Sequence, residues 1–145
     1  MLENGTWEDA YHWYAANLIK FAGLLMPGDL PVDGHELVAL CAPRPVFIGG
    51  GNPTDPGGDG HADPQGMFMA AAGASPVYEL LGKKGLGATE LPPIGTALTN
   101  GDVAYREHSG GHTDGPNWQT FMTFAARYLK GPGLKPVPAA SGEAN

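Results

Sequence analysis

The sequence predicts an α/β fold, an open sheet of few parallel strands flanked by helices and joined by long loops. Two short runs rich in β-branched and aromatic residues, "RPVFIGGG" and "DVAYREHS", are each followed by a segment of helical character, "DPQGMFMAAAGASPVYELLG" and "PNWQTFMTFAARYL". Loops with polar, glycine-rich clusters emerge where both runs end, the edge at which open α/β sheets hold their ligands. The chain also has 23 Gly and 14 Pro in 145 residues, so much of it is ordered connection. Two strands do not make a stable sheet, and the chain is expected to be part of a larger fold.

Taken in order, "EDAYHWYAANLIKFAG" spaces Trp13, Ala16, Asn17, Lys20 and Phe21 helically and closes at Gly23, which predicts a helix over Asp9 to Ala22. Asp33, with Glu36 three residues on, reads as a capping box that starts a short helix near Gly34. "RPVFIGGG" is apolar without interruption and predicts a strand buried on both faces. "NPTDPGGDGHADPQG" has no periodicity and is a loop; Pro64 then suits the first turn of an Ala-, Met- and Leu-rich helix. "KKGLGATELPPIGTALTNG" reads as a second long loop. The strand after it alternates through Val103, Tyr105 and His108, and the last helix puts Trp118, Phe121, Met122, Ala125 and Leu129 on one face. The composition predicts one partial domain over 1–130, and residues 131–145 have the makeup of a disordered tail.

Charge and composition narrow the function. With 15 Asp+Glu against 8 Lys+Arg and no basic cluster, nucleic acid is a poor partner. The longest apolar runs fall short of the roughly 20 residues that cross a bilayer, so no membrane role is expected. Cys41 is single and sits in an apolar run, which reads as a buried thiol and leaves the redox compartment open.

Asp55, Asp59, His61 and Asp63 follow the first strand, and His108 and His112 follow the second. In a parallel pair both groups share one edge, so a carboxylate from the first can orient a histidine from the second that takes a proton from a hydroxyl nucleophile. Gly110 and Gly111 let the backbone turn so that His112 points over that edge. Each residue also has a plainer role: Asp55 and Asp59 as turn formers, Asp63 as the cap of the following helix, and His61 as loop filling. The same cluster could hold a metal, although "DPGGDGHAD" fits neither an EF-hand nor a helical histidine pair. Trp7, Glu8, His12 and Trp13 form a further aromatic and polar group, read either as core packing or as a sugar contact. Ser75, Ser109 and Ser141 are the only serines, and none lies in a G-x-S-x-G elbow. An acid and a histidine without a preceding serine is what the carboxy-terminal part of an α/β-hydrolase contains, since its order is Ser, acid, His.

"YHWYAANLIKFAG", "LPVDGHELVALCAPRPVFIGGG", "GDGHADPQGMFMAAAGASPVYELLG" and "YREHSGGHTDGPNWQTFMTFAARYL" resemble successive blocks of the carboxy-terminal half of glucuronoyl esterases, carbohydrate esterase family 15 of the α/β-hydrolases. The likeness covers most of Trp7 to Leu129. It implies serine-type hydrolysis of the ester between 4-O-methyl-glucuronic acid of xylan and lignin alcohols, without metal or other cofactor. The resemblance makes His112 the catalytic histidine and Asp59 the acid, with a glutamate after an earlier strand as the acid in some members. His61 in "DGHADP" stands where the family pattern D-x-W-A-D-P has a substrate-contacting tryptophan, and Glu8 and Trp13 fall in a block that lines the uronate site. The resemblance further implies a glucuronoxylan or lignin-carbohydrate ester partner, a secreted or periplasmic setting, and a nucleophile upstream of Met1, so the chain by itself is expected to be inert. Two alternatives stay open: an acetyl-xylan-type esterase on the same scaffold, suggested by His61, and a non-catalytic carbohydrate-binding remnant.

Overall fold

The computed structural model describes residues 27–129. The expected helix at Asp9 to Ala22, with Glu8 and Trp13 beside it, and the tail 131–145 lie outside the described residues. After a 3-10 turn at Pro27–Asp29, α1 covers Gly34–Ala39, β1 Val46–Gly51, α2 Pro64–Leu80, β2 Ala97–Leu98, β3 Val103–His108 and α3 Trp118–Ala125. Further 3-10 turns stand at Gly60–Ala62 and Gly115–Asn117.

The sheet order is β1-β3-β2. β1 and β3 are parallel, in a register that runs from Val46 opposite Val103 to Gly51 opposite His108. β2 pairs antiparallel with β3, Ala97 opposite Arg106 and Leu98 opposite Tyr105, so the stretch read as one loop contributes a short edge strand. That pairing makes β3 central. Val103, Ala104, Tyr105, Glu107 and His108 are all buried, on both faces, where alternation had been expected. β1 is the strand at the other edge, and its Val46, Phe47 and Ile48 are half-buried rather than covered on both sides.

α1 begins as the sequence requires: the Asp33 side chain caps the first turn while Glu36 Oε2 accepts from the Asp33 N–H at 2.9 Å. α2 has Pro64 at its start, where a missing N–H costs nothing, and Asp63 accepts from the Gly66 N–H at 3.0 Å as its cap. α1 and α2 meet through small residues: a methyl group added at Gly73 would lie 2.9 Å from His35 Cβ. α2 then covers one face of the sheet, with Phe68, Ala71 and Tyr78 packed on Val103 and Tyr105. The Tyr105 and Phe68 rings meet edge to face at 5.5 Å. Two buried hydroxyls fix the registry of these layers, Tyr105 donating to the Pro64 carbonyl at 3.0 Å and Tyr78 to the Arg44 carbonyl at 2.8 Å.

α3 takes the opposite face through Phe47, whose ring lies 5.7 Å from Phe121 and 5.7 Å from Phe124. Of the residues the periodicity puts on one face, Trp118, Phe121, Met122 and Leu129 are exposed, and Phe124 is the buried contact, against Phe47 of the edge strand.

Candidate active site

Both parallel strands end at the same edge, and the loops that leave them are tied together by hydrogen bonds. The Asn52 N–H donates to the His108 carbonyl at 2.7 Å, the His112 N–H to the Gly57 carbonyl at 2.6 Å, and the Gly110 N–H to Asp55 Oδ2 at 2.9 Å. Asp55 also accepts from Asn52 Nδ2 at 2.8 Å, so its role is to join the loops. The approach is too close for side chains. A methyl at Gly51 would lie 2.3 Å from the Gly111 carbonyl oxygen, and Gly111 turns the chain at φ 79°.

Asp59 is carried back beneath this junction and is buried, 7 % exposed. Its Oδ2 accepts from the Gly51 N–H and its Oδ1 from His112 Nδ1. Burial alone would raise the Asp59 carboxyl, but the Gly51 N–H and the His112 ring outweigh it and hold the carboxyl below its ordinary value. The group is therefore a fixed anion. His112 is the opposite kind of side chain, 70 % exposed and open to ligand. With Nδ1 donating to a carboxylate, the lone pair of the neutral ring lies on Nε2 and faces outward.

His61, in the 3-10 turn just after Asp59, stands at the surface with its ring 4.9 Å from that of His112, edge to face. His108 is a structural neighbour. It is 1 % exposed and its two ring nitrogens face the Ser109 and Thr113 carbonyls, each at 2.9 Å, which holds the histidine turn closed. Ser75 is likewise engaged, accepting from the Leu86 N–H at 2.9 Å and donating to Ala71.

A cavity of about 510 Å³ opens in front of the pair, lined among others by Asp59, His112, Phe47, Asn117, Trp118 and Phe121. Trp118 and Phe121 thus form an apolar wall, which was not legible in the sequence because their spacing reads equally well as core. Asn117 is buried and takes Arg106 Nη1 on its Oδ1 at 2.7 Å, which braces the wall against β3. Glu107 was also missed. It is 3 % exposed on the central strand, and its carboxyl is pushed above the ordinary range by burial and by the charge of Asp59, against a smaller pull from His108.

The four-residue metal cluster considered from the sequence is not assembled, since Asp55 joins the loops and Asp63 caps α2. Instead Asp59, His61 and His112 bring one potential ligand atom each to within 4.8 Å of one another. Among the described residues no helix is long and apolar enough to cross a membrane.

A parallel strand pair with its covering helices and its ligand edge at the strands' carboxy ends is a part of an α/β-hydrolase fold. No family model matches the chain. A curated protein called carbohydrate esterase MZ0003, of an unknown prokaryotic organism, is 35 % identical over 121 residues, which span 83 % of this chain and 26 % of that protein. Among solved structures, a glucuronoyl esterase of carbohydrate esterase family 15 from Teredinibacter turnerae is 46 % identical, covering 88 % of this chain and 29 % of that one at a TM-score of 0.77. A promiscuous esterase of the same family from a marine bacterial metagenome is 34 % identical over 82 % of this chain and 28 % of its own, at 0.71. A glucuronoyl esterase from Solibacter usitatus is 33 % identical over 80 % and 28 %, at 0.66. The chain is thus similar to the glucuronoyl esterases of carbohydrate esterase family 15, and its fold is a portion of theirs. It spans between 26 % and 29 % of the length of these relatives.

Proposed function

We propose that the chain supplies the acid and histidine of a serine-type carboxylic ester hydrolase that acts on glucuronate esters of plant cell-wall carbohydrate. The observation that carries this reading is the hydrogen bond from His112 Nδ1 to the buried Asp59 carboxylate. In it His112 is the general base and Asp59 the orienter: Nε2 takes the proton of a serine hydroxyl as the oxygen attacks the ester carbonyl. The imidazolium so formed is stabilised by Asp59 and returns the proton to the leaving alcohol. Carried over from the resemblance, Glu8, Trp13 and His61 contact the sugar. The apolar wall of Trp118 and Phe121 faces the aromatic alcohol side of a lignin ester, and neither metal nor cofactor takes part.

None of the chain's serines stands in a nucleophile elbow, so in this reading the serine comes from the remainder of an α/β-hydrolase fold, and the chain alone turns over no ester. The test is a chimera in which this chain replaces the matching segment of the Teredinibacter turnerae enzyme. It is expected to hydrolyse benzyl glucuronate, and His112→Ala is expected to lower kcat/KM by about three orders of magnitude or more. Full activity in that variant would remove the assignment.

His61 favours a second reading, an acetyl-xylan-type esterase on the same scaffold, because an imidazole at the mouth of the site replaces the aromatic sugar platform of the family pattern. Faster release of acetate from acetylated xylan than of benzyl alcohol from benzyl glucuronate would select it.

A further inference from the structure

The ester chemistry needs one imidazole and one carboxylate, yet the site presents two imidazoles. His61 enters from the loop after β1 and His112 from the loop after β3, with Asp59 between and below them. Two imidazoles and one carboxylate are a donor set that suits zinc and its first-row neighbours, whereas calcium and magnesium want more oxygens than this site offers. We infer that Asp59, His61 and His112 form a binding site for a divalent transition-metal ion of the zinc class.

The frame for it is already rigid. The His112 N–H is held on the Gly57 carbonyl at 2.6 Å, the turn bearing His61 is closed by the Ala62 N–H on the Asp59 carbonyl at 2.8 Å, and Asp59 Oδ2 is fixed by the Gly51 N–H. The potential ligand atoms lie within 4.8 Å of one another. Ligands about 2.1 Å from a tetrahedral ion stand roughly 3.4 Å apart, so His61 must draw inward while the hydrogen-bonded His112 Nδ1 and Asp59 separate to admit the ion. Both rings lie at the surface, where rotation about side-chain bonds supplies that movement while the buried carboxylate stays in place. The outer contact of Asp59 to the Gly51 N–H is the kind of second partner that orients a ligand on a metal.

Occupancy has a consequence that rests on the proposed esterase reading. An ion bound at His112 Nδ1 displaces the hydrogen bond to Asp59 and the ring's proton moves to Nε2, so the nitrogen that would accept the serine proton is already protonated and the metal blocks the base reversibly.

The site itself is tested on the full chain without substrate, by titrating Co²⁺ and following its visible ligand-field absorption, with calorimetry to count ions. One ion per chain is expected, and His61→Phe and His112→Gln should each weaken binding by about tenfold or more. His35→Ala, which removes an exposed imidazole 3.5 Å from Asp33, should leave it unchanged. Failure to saturate at millimolar Co²⁺, or a Kd untouched by His61→Phe, overturns the site. In the active chimera, Zn²⁺ should inhibit, EDTA should restore the rate, and His61→Phe should raise the inhibition constant. An inactive chimera removes the ester reading and the blocking step with it, whereas absent Co²⁺ binding removes the metal site alone.

Discussion

At Gly51 the backbone N–H, the Asp59 carboxylate and the Gly111 carbonyl all converge, and the space for a side chain is gone. Gly51→Ala is expected to push the histidine turn off the strand end, at a cost of about 1–3 kcal/mol in urea unfolding, and to slow the chimera because His112 leaves Asp59. A variant as stable and as active as the parent would refute that close approach. Asp59→Asn keeps the shape but presents the wrong group to Nδ1, and a loss of about four orders of magnitude in kcat is expected for such a change. Glu107 contributes in the other direction. Its carboxyl is raised in the folded state, so any stability it lends is present while the acid is protonated and is lost as pH rises through the raised value. Glu107→Gln should therefore melt above the parent at pH 7, and the gap should close below about pH 4, where both states protonate the acid. A gap that stays constant with pH would show that the charge is not the cause. Residue chemistry was legible where a side chain acts locally: the Asp33 and Asp63 caps, Pro64 and the histidine turn. His108 and Glu107 were not separable from surface residues, because their burial comes from the central place of β3 in the sheet and from the turn that closes over its end.

At the scale of elements, propensity and capping decide where helices start, and packing decides which face they bury. Asp33→Ala removes one half of a reciprocal cap on the six-residue α1 and should cost about 1 kcal/mol. Glu36→Ala added to it should cost less than it does alone, since the two act as a unit. Phe68→Ala, which opens the contact between α2 and Tyr105, should cost about 3–5 kcal/mol in the same urea titration. For α3 the periodic stripe of Trp118, Phe121 and Met122 is amphipathic, yet Trp118 and Phe121 form the wall of a cavity and Met122 is exposed. Spacing alone cannot distinguish a face that meets a sheet from one that meets a ligand. The two-residue β2 was invisible for a related reason, since so short a strand exists only through its pairing with β3.

At the scale of the whole molecule, the exposed Leu40, Leu80 and Met69 among the described residues are apolar surface of the kind that soluble domains usually cover. The isolated chain is expected to bind an apolar dye such as ANS and to sediment with a concentration-dependent mass, and both signals should vanish when it is housed in the chimera. Equal dye binding in the two settings would mean that this surface is not one that the remaining fold covers. The order of α1, β1, α2, β3 and α3 and the placement of a carboxylate and a histidine after two parallel strands were determined by the sequence, because periodicity, glycine turns and chain order are local or linear properties. The family resemblance had already paired Asp59 with His112; tertiary structure alone decided that Asp55 joins the loops, that His61 rather than His108 stands beside His112, and that β3 is central. Those outcomes depend on which groups are brought together across more than fifty residues of chain, as in the bond from Gly110 to Asp55, and distance in sequence carries no record of that.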